Sequence, residues 1–136
     1  MKISIETIIN APLNLVWLSW VNPDEIKNWH FASSDWCCPF AQIDLVVGGK
    51  FNYRMEAKDG SMGFDFEGEF TAIAPLTHIR YTLEDNREVD IQFSEYQGQT
   101  TIAETFEAED ENSVEQQRQG WLMILENFKQ YVEYKK

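Results

Sequence analysis

From about residue 41 to residue 108 the chain alternates apolar and polar residues with little interruption, and near residue 113 the period changes to three and four. A period of two places successive side chains on opposite faces of a pleated strand, so this stretch predicts strands with one buried face. The alternation divides into segments at about 41–46, 50–57, 62–74, 78–84, 88–96 and 99–108. Short connections such as "KDGS", "EDNR" and "YQGQ" carry Gly, Asn and Asp where a tight reversal needs them. Strands joined so closely must run antiparallel. The closing segment repeats Val114, Gln117, Trp121, Leu125, Phe128 and Val132 at helical spacing, with Ser113 and Gln116 placed for a capping box. Such a helix needs an apolar partner, and only the sheet is large enough to provide one.

The first 40 residues fill in the order of elements. "KISIETIIN" alternates as a strand, "APLNLVWLSW" has Pro12 near a first helical position and an apolar face, and "NPDEIKNWH" restarts a helix. There Asn22 is positioned to cap, with Glu25 completing a capping box. "FASSDWCCPF" reads as a loop from its Ser, Asp and Pro content. The fold class is therefore α+β: one strand, two short helices, an antiparallel meander, and a long C-terminal helix across the sheet. Gly48-Gly49 ahead of "KFNYRM" predicts a tight reversal or a close backbone approach. Gly120 beside Trp121 predicts a close contact at that turn of the helix.

Composition narrows the function. Lys and Arg number 11 against 23 Asp and Glu, and the formal charge of −12 argues against partnership with nucleic acid or anionic lipid. No run approaches the roughly 20 apolar residues of a membrane span, and the opening lacks a signal-peptide pattern. These features predict one soluble, acidic, cytoplasmic domain over residues 1–136 that does not engage membranes. Cys37 and Cys38 are adjacent, and neither they nor His30 and His78 have the spacing of a zinc motif. Free thiols are expected, with no metal and no cofactor implied.

The motifs "NAP…VW", "NW", "DLVVGGKFNYRMEAKDG", "ETFEAE" and "QRQGW…L…F" resemble the START-like superfamily, also called SRPBCC or Bet v 1-like. Within it the chain is most similar to the family named after the activator of the heat-shock-protein-90 ATPase. The resemblance implies a helix-grip fold, with an antiparallel sheet of six or seven strands wrapped around the C-terminal helix and often an apolar cavity between them. It extends to a chaperone partner only weakly, because the eponymous activator has an additional chaperone-binding domain for which 136 residues leave no room.

Aromatic residues make up 14% of the chain, and parity aims many of them at the helix. Phe51, Tyr53 and Met55 share one face, as do Phe64 and Phe66, then Tyr81, then Phe93. Trp121 and Leu125 face them from the helix, and Trp29, Phe31 and Trp36 can close the open end as a lid. Two polar residues have inward parity: Gln117 lies four residues before Trp121, and Glu104 lies between Ile102 and Phe106. Desolvation there should raise the Glu104 pKa. These residues predict a site for a small apolar molecule, oriented by Glu104, Gln117 or Tyr81. An enzyme of polyketide cyclase or hydratase type using an inner carboxylate is the alternative, and a protein-interaction module related to the chaperone ATPase activator is a third. No Ser-His-Asp, metal or phosphate-loop constellation accompanies the carboxylate, which favours binding over catalysis.

Overall fold

The computed structural model describes residues 1–135. Strand β1 spans Lys2–Ile9, helices α1 and α2 span Leu13–Val21 and Pro23–Ile26, and β2 spans Trp36–Ile43. The meander continues through β3 (Lys50–Ala57), β4 (Gly63–Ala74), β5 (His78–Leu83), β6 (Glu88–Tyr96) and β7 (Gln99–Glu107), and α3 covers Val114–Lys135. All seven strands form one antiparallel sheet in the order β1-β7-β6-β5-β4-β3-β2. This is the helix-grip arrangement, with α3 against the inner face and α1 and α2 closing one end.

Alternation becomes packing as the sequence predicts. In β3, Phe51, Tyr53 and Met55 are buried, and Ile79, Tyr81 and Leu83 of β5 and Val89, Ile91 and Phe93 of β6 are buried in step. The opposite face carries charge ladders, including Arg54 between Glu56 and Asp65 and Arg80 beside Asp90. The glycine pair has two tasks. Gly48 adopts a φ of +85°, which reverses the chain, and a Cβ on Gly49 would collide with the Asp44 carbonyl oxygen. The same two residues reach β4, where Gly48 N donates to Phe70 O at 2.8 Å and Phe70 N donates to Gly49 O at 2.9 Å.

The capping box of α3 forms as expected: Gln116 N donates to Ser113 Oγ at 3.1 Å, and Ser113 N donates to Gln116 Oε1 at 3.2 Å. That of α2 does not. Asn22 caps through Asp24 N at 3.0 Å, but Glu25 turns away and accepts from Ser19 Oγ, Tyr131 OH and Lys135 Nζ. Three side-chain donors outcompete one backbone N–H, and Glu25 thereby ties α2 to the end of α3. Pro12 precedes α1 as its cap residue without a side-chain bond, and Glu95 Oε2 of β6 accepts from Leu13 N at 3.1 Å instead.

The loop expected at "FASSDWCCPF" and the strand expected at 41–46 both need correction. Strand β2 starts at Trp36 and ends at Ile43, and the reversal occupies the residues that follow. Trp36 pairs with Ala57 and Cys37 with Glu56, but the next pair is Phe40 with Arg54, so Cys38 and Pro39 together oppose Met55. Pro39 cannot donate to the ladder, and a bulge accommodates it. Cys37 and Cys38 are both free thiols, and burial pushes the Cys38 thiol up to about 11.

Candidate functional site

Between the inner face of the sheet and α3 lies a cavity of about 450 Å³. Its walls follow from the parity of the strands: Tyr53 and Met55 from β3, Phe64, Phe66 and Phe70 from β4, Ile79 and Tyr81 from β5, and Glu104 from β7. Helix α3 contributes Gln117, Trp121, Ile124 and Leu125, spaced so that they share one face. Trp121 lies flat on Phe106, with ring centroids 4.0 Å apart and planes within 9°. It also meets Phe66 edge-on at 5.8 Å. Trp20 and Trp29 complete the wall, where Trp29 packs on Phe128 at 4.6 Å.

Eleven of the fourteen residues named from sequence line this cavity: Trp29, Trp36, Tyr53, Met55, Phe64, Phe66, Tyr81, Glu104, Gln117, Trp121 and Leu125. Phe31, Phe51 and Phe93 lie elsewhere. Phe51 packs into the sheet-side core against Phe70 and Tyr81, its ring filling the space that a side chain at Gly68 would need. Phe93 is claimed by Trp17 and Trp20 of the first helix. Phe31 is half-buried, in a segment pinned to α3 by Asn127, whose Nδ2 donates to Trp29 O at 2.8 Å. The Trp29 indole donates to Ser19 O at 3.0 Å, so the expected lid is fastened at its base. Phe64 faces inward but is 47% exposed, and it meets Trp36 at 5.9 Å.

Gln117 is buried, but its amide is occupied. It accepts from Glu109 N at 2.9 Å and donates to Glu109 O and Asn112 O at 3.1 and 2.9 Å, clamping the connection between β7 and α3. An amide so committed shapes the cavity rather than orienting an occupant. Gly120 also differs from expectation. A Cβ there would meet nothing within 4 Å, because the residue faces the cavity rather than a neighbouring element.

The polar groups left free are few and deep. Glu104 is 5% exposed, and burial alone, with no compensating hydrogen bond, pushes its carboxyl up to about 8. Burial raises Tyr81 well above its ordinary value, with a contribution from nearby Glu104, and raises Tyr53 likewise. His30, which its spacing sets apart from any zinc motif and which no periodic pattern singles out, is buried against Tyr53 and Phe66 at 4.9 and 5.3 Å. Its Nδ1 has no partner, and burial lowers its pKa to about 4, so the ring is neutral at pH 7. Arg87, Glu109 and Asn112 also contribute to the lining. Among the described residues no three His, Cys, Asp or Glu side chains converge to hold a metal ion, and no helix is long and apolar enough to cross a membrane.

Residues 10–133 match the family described as Activator of Hsp90 ATPase homolog 1-like protein. The chain belongs to that family. An AHSA1-like protein from Aeromonas hydrophila, solved in solution by NMR, is similar at 49% identity and a TM-score of 0.93, covering 98% of this chain and 93% of its own. Chr148 from Cytophaga hutchinsonii is similar at 42% identity and a TM-score of 0.84, with 98% and 93% covered. The fold extends further: NE0264 from Nitrosomonas europaea has a TM-score of 0.81 at 16% identity, with 99% and 96% covered. No curated protein matches the chain. For this AHSA1-like family member, then, fold and family are shared with solved proteins, and the chemistry of the cavity wall has to speak for function.

Proposed function

We propose that this protein binds one small, largely apolar molecule between the sheet and α3, with its body against Phe66, Trp121 and Trp29 and a polar end toward Glu104 and Tyr81. The observation that carries the reading is a cavity of about 450 Å³ between the sheet and α3, walled by aromatic side chains with a few buried polar groups. That volume is within the usual range for small-molecule sites, and its mixture of aromatic walls and a few buried polar groups is their usual composition. An acid and a histidine ring atom left unpartnered in apolar surroundings cost stability that a fold without a ligand has no reason to retain.

The enzyme alternative draws on the same carboxyl, since a group that titrates near neutrality can exchange protons with a substrate. It lacks a second participant. His30, a candidate base in the same lining, has a pKa lowered to about 4 and is too weakly basic to take a proton from an unactivated carbon or hydroxyl. Binding is therefore the conclusion. The test is native mass spectrometry of the chain purified without denaturation. A discrete adduct of a few hundred daltons, lost on acid unfolding, is expected. Only the bare mass, together with no stabilisation by any of a broad panel of apolar compounds, would contradict the reading.

A further inference from the structure

Glu104 offers something a neutral polar residue does not. A ligand needing only a hydrogen bond is served by Gln at that position, without the strain of burying a group that ionises in water. The carboxyl is useful where a charge is wanted once the ligand is in place. Its surroundings suit a cation: β1 and β6 oppose it with Ile5 and Ile91, and Tyr53, Phe66, Tyr81 and Trp121 line the same cavity with ring π-systems. Among the described residues Arg87 is the one permanently cationic side chain in the lining, and it is engaged by Asp85 at 2.7 Å and by the Glu107 carbonyl at 3.4 Å. The formal charge of −12 also draws cations toward the molecule.

We infer that the cavity takes an organic ammonium ion, its apolar substituents held by the aromatic walls and its charge paired with Glu104. The inference rests on the proposed small-molecule site and specifies its ligand class. Glu104 is neutral at pH 7 in the empty protein and gives up its proton as the cation arrives. The other titratable groups facing it are Tyr81 from β5, Tyr53 from β3 and His30 from the segment after α2, and Arg87 and Glu109 also line the cavity. Burial holds the tyrosines protonated and His30 neutral through the range of interest. From α3 the cavity receives Gln117, Gly120, Trp121, Ile124 and Leu125, none of them ionisable.

The experiment uses benzyltrimethylammonium, whose charge is independent of pH, and its carbon isostere neopentylbenzene, each displacing the neutral dye N-phenyl-1-naphthylamine. The ammonium compound is expected to bind at least tenfold more tightly than the isostere at pH 7, with release of about one proton measured by calorimetry in two buffers. Its affinity should rise about tenfold per pH unit below pH 7.5 and level off above pH 8, because only ionised Glu104 pairs with it. Glu104→Gln should erase the preference, so that the ammonium compound and its isostere displace the dye from the variant at equal concentrations, and should abolish the proton release. If that variant does not fold, the wild-type pH profile and proton release decide. Equal or weaker binding of the ammonium compound, with the dye bound, overturns this inference and leaves the small-molecule site standing; absence of dye binding removes the site itself.

Discussion

At position 104 a carboxyl lies between Ile5 and Ile91 on the neighbouring strands, with burial the sole cause of its displaced titration. The folded protein therefore holds a proton that the unfolded chain releases near 4.5, and stability must fall as pH rises from there until it levels off above about 8. The accumulated loss is on the order of 3 kcal/mol by pH 7. His30 acts at the other side: its ring, lowered from 6.5 to about 4, costs stability as pH falls through that interval. The two slopes oppose each other between about 4.5 and 6.5. Glu104→Gln should leave only the histidine's, so its unfolding free energy should gain on the wild type from pH 5 to pH 8. Urea unfolding across that range checks this, and parallel profiles would show that Glu104 is ionised in the fold. Parity was enough to place Glu104 on the inner face. It could not find His30, because a lone histidine after a short helix belongs to no periodic pattern. Nor could it show that the Gln117 amide is consumed by Glu109 and Asn112, since spacing gives a side chain's direction and not its partner.

Among the elements, α3 carries a glycine that its packing does not require. Gly120 faces open cavity, and Ala there would gain helix propensity without a clash. Gly120→Ala should therefore stabilise the protein by about 1 kcal/mol, read as a higher urea midpoint at unchanged slope. Destabilisation would mean that the turn is closer to its neighbours than its geometry indicates. A helical Gly has two physical uses, close approach and empty space; the sequence predicts the first at Gly120, and only tertiary structure tells them apart. The start of β2 was hidden for a related reason. Ser33, Ser34, Asp35 and Pro39 carry loop chemistry, and the pairing with β3 that makes a strand of this stretch, with a bulge at Cys38 and Pro39 opposite Met55, is a long-range contact that local composition does not reveal. In Glu25 a valid capping signal was overridden by donors from Ser19, Tyr131 and Lys135, two of them more than a hundred residues away.

For the molecule as a whole, the fold was legible because two periodicities, two along the strands and near 3.6 along α3, left one way to bury both apolar faces. Whether that interface would close could not be read in the same way. It depends on how far the sheet curves from the helix, on Gly120 leaving room, and on Gln117 and Asn127 anchoring the segments around the cavity. The proposed function requires that this space receive a small molecule. The most direct measurement is titration of the wild type and of Gly120→Phe with N-phenyl-1-naphthylamine, which fluoresces in apolar surroundings. The wild type should bind one dye per chain saturably, and Gly120→Phe, whose ring projects into the cavity, should bind at least tenfold more weakly while keeping the same circular dichroism and cooperative unfolding. Dye binding that is unsaturable in the wild type, or unchanged in a folded Gly120→Phe protein, would contradict it.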